Sequence, residues 1–320
     1  MALTYQILLA VLLDQLLGDP RWLPHPVRLI GAACSRFEKI TRKILPPFGA
    51  GLTSVLLVLT ATALTVHGLL LAANLIHPSL ATAMSVYLLY TTIAARDLTR
   101  HSKEVYQALA KDDLPEARRR VAMIVGRDTA ALDRQGVAKA AVESVAESMV
   151  DGITAPLFFA VVGGPMGAML YKAINTMDSM FGYKNERYEK FGWGPARLDD
   201  LANFIPARLT SMLIPAAAWL LRLDAKRALY TLARDRLNHS SPNSGHSEAA
   251  VAGALGVQLG GPSIYFGRLV AKATIGDATR PIEPSDILRS NRLVLTSAAL
   301  ALLFLLAMRL QIFTLLDRVF

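Results

Sequence analysis

Residues 171–208 read YKAINTMDSMFGYKNERYEKFGWGPARLDDLANFIPAR, a short block dense in amides, carboxylates, guanidiniums and aromatic rings. Asn175 and Asp178 stand at the helical spacing i, i+3, as do Asp200 and Asn203, so each pair turns its oxygen atoms to one face and can join an oxygen-rich metal shell. Asp178, Asp199 and Asp200 are therefore candidates for catalysis, with Asn175, Tyr188 and Asn203 as polar contacts to a substrate. Lys184, Arg187 and Arg197 suit anionic groups, arginine through its planar fork and lysine as a point charge. Two plainer explanations stand beside this one. The block can be a well-folded extramembrane loop, and Tyr183, Tyr188, Phe191 and Trp193 can be an interfacial aromatic belt.

A second constellation lies in AKAAVESVAESMVDG, where Glu143, Glu147 and Asp151 fall at i, i+4 and i+8 on one helical face. Stacked like charges repel, and a Mg²⁺ ion or a cationic substrate would neutralise them; a solvated helix face explains the same spacing. The small residues Ala140, Ala141, Ser144 and Ser148 favour close helix packing and thus a buried face. In NHSSPNSGHSEAA, Asn243, Ser244 and Gly245 precede a helix beginning near His246, and the free amides of such a terminus bind anions, although capping alone accounts for Asn243 and Ser244. His239 and His246 are candidate bases or phosphate donors. Asp14, Asp19, Arg21, His25, Pro26 and Arg28 make a fourth polar group, of which His25 and Arg28 are candidate substrate contacts, and Arg127, Asp128 and Thr129 a fifth.

The elements that hold these residues belong to a membrane protein. At 320 residues and 53% hydrophobic, with mean hydropathy +0.36, the chain is too apolar for an ordinary soluble domain and too short for several independent ones. The pattern predicts an all-α, multi-pass integral membrane fold in a single domain, residues 1–320. Residues 44–95 contain no Lys, Arg, Asp or Glu, room for two spans of roughly 20 residues each, with His77-Pro78 as the hairpin between them. Spans are expected at 2–18, 50–76, 78–95, 201–221 and 293–316. Two further apolar stretches, 152–171 and 249–267, are each interrupted by Gly-Gly-Pro and are expected as broken or re-entrant helices, with a polar helical block at 96–151 and a motif loop at 172–200.

Arg28, Arg36, Lys39, Arg42 and Lys43 outnumber the nearby acids, which places this connection and the block from Arg96 onward on the cytoplasmic side of a bacterial or archaeal inner membrane, and the polar site with them. The net charge of +9 is then an orientation signal and an attraction to anionic lipid. No nucleic-acid partner is expected, because the basic residues are not interleaved with aromatics and no DNA- or RNA-binding motif is present. The single cysteine, Cys34, rules out internal disulfides and multi-cysteine metal sites. No Walker loop, Rossmann fingerprint, G-x-S-x-G or H-E-x-x-H occurs, so nucleotide-motor, dinucleotide, esterase and zinc-protease readings lose support. What remains is a carboxylate-rich, arginine-bearing site acting on a phosphorylated or carboxylated substrate with a divalent cation.

Four motifs carry a resemblance: LLDQLLGDPRWLPHPVRLIG (12–31), ESVAESMVDGITAP (143–156), NTMDSMFGYKNERYEKFGWGPARLDDLANFIPARL (175–209) and NSGHSEAAVAGALGVQLGG (243–261). In this order and over nearly the whole chain, they resemble the membrane-bound adenosylcobinamide-phosphate synthases of cobalamin biosynthesis. The resemblance implies ATP-dependent joining of a side-chain carboxylate of adenosylcobyric acid to (R)-1-amino-2-propanol or its phosphate. It also suggests company with other membrane enzymes of late corrinoid assembly. The chemistry, rather than the resemblance, assigns Mg²⁺ to Glu143, Glu147 and Asp151, phosphate to Lys184, Arg187 and Arg197, and the base for the amine to His246. A Mg²⁺-dependent prenyl- or phospho-transferase, or a non-catalytic corrinoid transporter or binding protein, would place similar residues beside a membrane.

Overall fold

The computed structural model describes residues 2–20, 22–183, 185–265 and 267–319, with side chains as far as Gln311, so Lys184 lies outside the described residues. The described chain is mostly helical: α1 (Ala2–Leu17), α2 (Pro26–Ile44), α3 (Pro47–Ile76), α4 (Pro78–Tyr90), α5 (Ala95–Ala110), α6 (Leu114–Val121), α7 (Arg134–Met149), α8 (Ala155–Phe181), α9 (Trp193–Ala202), α10 (Phe204–Leu220), α11 (Ala225–Asp235), α12 (Ser244–Leu255) and α13 (Ser285–Val319). A π-helical turn, Val150–Thr154, follows α7. Strands β1 (Leu259–Gly260), β2 (Ser263–Tyr265), β3 (Arg268–Val270) and β4 (Thr274–Ile275) form two antiparallel pairs, β1 with β4 and β2 with β3. Packing divides the chain into two compact units. Unit 1 is Met1–Ala94, Ala155–Asn203 and Leu305–Phe320; unit 2 is Ala95–Thr154 and Phe204–Phe304.

Among the described residues, three helical runs are long and apolar enough to cross a bilayer by length and composition: Pro47–Ile76, Arg134–Phe181 and Ser285–Gln311. Only 22% of the apolar window of α3 is buried within the protein, which leaves Leu56, Leu64, Leu75 and Ile76 facing outward as lipid contact requires. This helix ends at His77, whose extended backbone precedes Pro78 and whose ring accepts the Ser79 amide hydrogen at 3.1 Å. The expected span at 78–95 is shorter than predicted. α4 stops at Tyr90, and its 13 residues rise only about 20 Å, less than the ~30 Å of hydrocarbon. α1 and α10 are apolar but also short, at 16 and 17 residues.

Within unit 1, α8 is interrupted where Gly-Gly-Pro occurs. Gly164 takes φ 60° and ψ −152°, a backbone state that glycine alone reaches easily, and Pro165 removes the next amide donor. Phe159 and Tyr171 stack with ring centroids 5.0 Å apart, whereas along an unbroken helix the same pair would be separated by about 18 Å. The chain therefore doubles back at Gly164. The two arms touch closely enough that a methyl on Gly167 would lie 2.5 Å from the Phe159 carbonyl oxygen, and the Arg309 guanidinium donates to the Val161 carbonyl at 2.8 Å. Below this hairpin, Cys34, Val58, Met177, Phe181 and Phe191 form the apolar core that ties α2, α3 and α8 together.

Unit 2 is organised around α12. Every residue of this helix from Gly245 to Leu255 is buried, as expected for SGHSEAAVAGAL, which has no broad polar face. Small side chains allow α11, α10 and α7 to close on it. At its start a Cβ on Gly245 would lie 2.5 Å from the Arg236 carbonyl oxygen and 2.9 Å from the His239 Cβ. Gly256, with φ 66°, ends it in the left-handed cap that helix C-termini favour. The expectation of a broken or re-entrant helix over 249–267 is corrected here. Gly260 and Gly261 take φ 69° and 84°, incompatible with a helix, and the following β-branched and aromatic residues pair as β2 and β3, with Ser263 opposite Val270 and Tyr265 opposite Arg268.

Candidate functional site

Each unit carries its own polar site. In unit 1, α8 and α9 replace most of the expected loop at 172–200, which places Asn175 and Asp178 on one helix and Asp199 and Asp200 on the other. Asp199 is buried at the centre. Its Oδ2 accepts from Asn203 Nδ2 at 2.9 Å and its Oδ1 from Asn175 Nδ2 at 3.4 Å, while the Tyr171 hydroxyl donates to Asn203 Oδ1 at 2.9 Å. Burial, then the negative charge of Asp178, raises the Asp199 pKa to about 7, against the two amide donors, with Asp200 adding a smaller push. Asp199 thus titrates near neutrality, unlike an ordinary carboxylate.

The remaining unit 1 candidates do not join that cluster. Arg187 Nη2 donates to Glu38 Oε1 at 3.2 Å and the Tyr188 hydroxyl approaches Glu38 Oε2 at 3.5 Å. Arg42 donates to the same carboxylate at 2.9 Å and lies over the Phe191 ring, 4.2 Å from its centroid. Arg187 and Tyr188 are thereby anchored to a buried carboxylate of α2, a structural use that the sequence reading did not foresee. Arg197 pairs loosely with Asp200 at 3.4 Å on the surface, and His25 pairs with Asp19 at 3.3 Å, one helical turn before Arg28.

Unit 2 encloses a cavity of about 280 Å³ lined by Glu143, Glu147, His239, Glu248, Tyr265 and Lys272 among others. Glu143 is committed on both oxygens: it is ion-paired with Arg127, and Oε1 accepts the Gly260 amide hydrogen at 2.6 Å. Among the described residues, Glu147 accepts a single long hydrogen bond, from the Ser244 hydroxyl at 3.4 Å. Glu248 lies 3.6 Å from His239 Nε2, while His239 Nδ1 accepts the Ser241 amide hydrogen at 3.0 Å. Because Nδ1 is used as an acceptor, the neutral ring carries its proton on Nε2. Burial foremost, then the charges of Glu147 and Glu143, holds the Glu248 carboxyl well above the ordinary range, against Lys272 and Arg127. Burial also lowers the pKa of His239.

At the N-terminus of α12 a different group assembles. Arg208 Nη1 donates to Asn243 Oδ1 at 3.1 Å, and His246, 6% exposed, keeps its Nε2 without a hydrogen-bond partner among the described residues. Burial, and then the cations Arg208 and Arg236, lower the His246 pKa, so the ring is neutral at physiological pH. A buried polar atom without a partner calls for an explanation, and here it stands beside two cations and a helix terminus.

The expected metal triad does not form. Glu143 is held by Arg127 and the Gly260 amide, and Asp151 lies in the π-turn that follows α7. Among the described residues no group of three or more His, Cys, Asp or Glu could hold a metal ion. His246, expected as the base, is not part of the cavity lining, whereas His239 is. Glu248, Lys272 and Arg236 were missed. Glu248 alone left a signal, as a carboxylate heading the otherwise apolar run EAAVAGAL.

Long apolar helices combined with ionisable groups sheltered in two polar sites define a helical membrane protein. The particular family follows from its relatives, for the family model described as CobD/Cbib protein matches residues 7–294. The chain is 50% identical over 314 residues to cobalamin biosynthesis protein CobD of Geobacter metallireducens, covering 97% of this chain and 98% of the relative. It is 49% identical over 318 residues to CobD of Desulfotalea psychrophila, with 94% and 96% covered. It is also 48% identical over 306 residues to cobalamin biosynthesis protein CbiB of Salmonella typhimurium, again covering 94% and 96%. The chain belongs to the CobD/CbiB family. No solved structure matches it.

Proposed function

We propose that the chain acts in cobalamin biosynthesis as a membrane-bound, ATP-dependent carboxylate–amine ligase. It would join a side-chain carboxylate of adenosylcobyric acid to (R)-1-amino-2-propanol or its O-phosphate, giving adenosylcobinamide or its phosphate. The observation that carries this reading is the buried start of α12, where Arg208, Asn243 and the neutral His246 with its unpartnered Nε2 converge. A carboxylate cannot be attacked by an amine until its oxygen is made a leaving group, and phosphoryl transfer does this. In the proposed sequence the corrinoid carboxylate attacks the γ-phosphorus of ATP, releasing ADP. The amine then adds to the acyl phosphate, and inorganic phosphate departs as the amide forms.

Arg208, with Asn243 and Ser244, suits the phosphate in this scheme, and His246 fits better as a neutral hydrogen-bonding partner of that phosphate than as the base read from sequence. The residues do not fit a resident Mg²⁺ site, so Mg²⁺ enters only as the ion that accompanies ATP. Asp199, with its pKa of about 7, and its neighbours Asn175, Asp178, Asp200 and Asn203 form a second polar surface suited to the amide-rich rim of a corrinoid. We further propose that the apolar helices cross the cell membrane and that the polar sites face the cytoplasm, in keeping with the basic α2 connection.

The test is turnover by purified protein in lipid nanodiscs supplied with adenosylcobyric acid, MgATP and either the amino alcohol or its phosphate. Mass spectrometry should find the amide product with matching ADP release. A folded preparation that makes no amide with either amine removes the proposal.

A further inference from the structure

The cavity of unit 2 is small and lined by charged side chains of both signs. Its volume, about 280 Å³, falls just below the range of sites for drug-sized ligands. A corrin macrocycle cannot be enclosed there; a molecule of a few heavy atoms can. The charges on its wall are unevenly satisfied. Glu143 is fully engaged by Arg127 and the Gly260 amide. Lys272 donates to the Tyr265 hydroxyl at 2.5 Å and sits 4.7 Å from that ring's centroid. Two carboxyls are left over: Glu147, exposed and with one long bond from a hydroxyl, and Glu248, 4% exposed and 3.6 Å from His239, whose pKa burial lowers. A carboxyl as deeply buried as Glu248 is rarely left so poorly paired, and the exposed Glu147 opens the same cavity to solvent.

Resting on the ligase reading, we infer that Glu147 and Glu248 form the seat for the primary ammonium of the small amine substrate, with Glu248 as the acceptor of its proton. An ammonium offers three donors from a compact charge and needs oxygens on more than one side. α7 supplies Glu147 from one wall and α12 supplies Glu248 from another. The amine must lose a proton before it can attack. One N–H bond breaks, one O–H bond forms on Glu248, and the nitrogen lone pair is released as nucleophile with no other reactant needed. Burial and the charge of Glu147 raise the Glu248 pKa, so without the amine the carboxyl holds its proton; the arriving ammonium displaces that proton to solvent, and the carboxylate so formed then takes one proton from the nitrogen. Lys272, facing Glu248 from the β3–β4 connection, opposes a second cation in the cavity.

The experiment is calorimetric titration of nanodisc-embedded protein with 1-amino-2-propanol, and with 1,2-propanediol as the isosteric probe lacking the amine. Wild type should bind the amine and not the diol. Glu147→Gln and Glu248→Gln should each weaken amine binding about tenfold or more. Lys272→Met should strengthen it, a gain that damage to the fold would not produce. In turnover, the carboxamide variants should raise KM for the amine while leaving KM for ATP unchanged, and Glu248→Gln should also lower kcat. Equal binding of amine and diol, or amine affinity unchanged in both carboxamide variants, overturns the assignment. Protein that binds the amine as described but forms no amide leaves the seat standing and removes the ligase reading instead.

Discussion

Replacing Glu143 by Gln isolates the one carboxylate that sequence spacing marked as a metal ligand and that the fold uses as a strut. The change keeps an oxygen for the Gly260 amide hydrogen, 2.6 Å away, and removes only the charge opposite Arg127. Both side chains are buried, 14% and 6% exposed for Arg127 and Glu143, so the discount applied to surface ion pairs does not hold. Breaking a buried pair by removing one partner costs about 3–5 kcal/mol, because the other charge is stranded. At roughly 2–4 °C per kcal/mol for a domain of this class, the melting midpoint of detergent-solubilised protein, followed by tryptophan fluorescence, should fall by on the order of 10 °C. Arg127→Met should cost a similar amount, and the double variant should recover much of it, since neither charge is then left alone. None of these shifts should depend on added Mg²⁺. A Glu143→Gln protein that melts with wild type, or a wild-type midpoint raised by Mg²⁺ through Glu143, would refute the strut and restore the metal.

Asp199 gives a pH signature. Its folded pKa of about 7 exceeds that of an unfolded aspartate, near 3.9; the folded state holds the extra proton between these values, and stability therefore declines as pH rises from about 4 to about 7. Asp199→Asn should flatten that decline in a series of thermal melts, and identical profiles for variant and wild type would show that the carboxyl is not perturbed. Gly245→Ala puts a methyl 2.5 Å from the Arg236 carbonyl oxygen, which overpacks the α11–α12 contact and should cost about 1–3 kcal/mol, measured by the same melts; Ser244→Ala, with no such clash, should be nearly neutral. Sidedness is accessible because Cys34 is buried and its thiol pushed up to about 12, so it reacts poorly. Cysteines introduced at the exposed Arg119 and Arg197 should both resist an impermeant thiol reagent in intact cells and label after lysis. Labelling of either from outside would contradict a cytoplasmic polar face.

What the sequence disclosed depended on the range of the interaction involved. The uncharged run from 44 to 95 announced α3, because membrane insertion is decided by local hydropathy. The Gly-Gly-Pro at 163–165 marked the turn in α8 because backbone sterics are local too. The same tripeptide at 260–262 misled, since a glycine pair at positive φ suits a β-bend as well as a helix break, and only pairing with residues 268–275 selects between them. Asp199 with Asn175 and Asn203 could be read from i, i+3 and i, i+4 spacing once two helices were assumed. Arg127 with Glu143, or Lys272 facing Glu248, could not, for these partners are far apart in sequence and meet only through the tertiary fold.

The same distinction explains why α12 was read as an anion-binding terminus and its deeper role missed. A helix buried on every side should be apolar on every side, and each polar residue it retains carries a desolvation cost that packing elsewhere must offset. α12 retains His246 and Glu248 two residues apart in its first two turns, facing different surroundings: the imidazole meets the cations Arg208 and Arg236, the carboxyl meets Glu147, His239 and Lys272. On the proposed ligase reading, one short rigid element holds the group assigned to the anion and the group assigned to the ammonium at a fixed separation. A reaction that joins an activated carboxylate to an amine needs those two environments close together and unable to drift. Burial of the helix, costly for its polar residues, is what keeps both protonation states away from those of free side chains and keeps their separation constant.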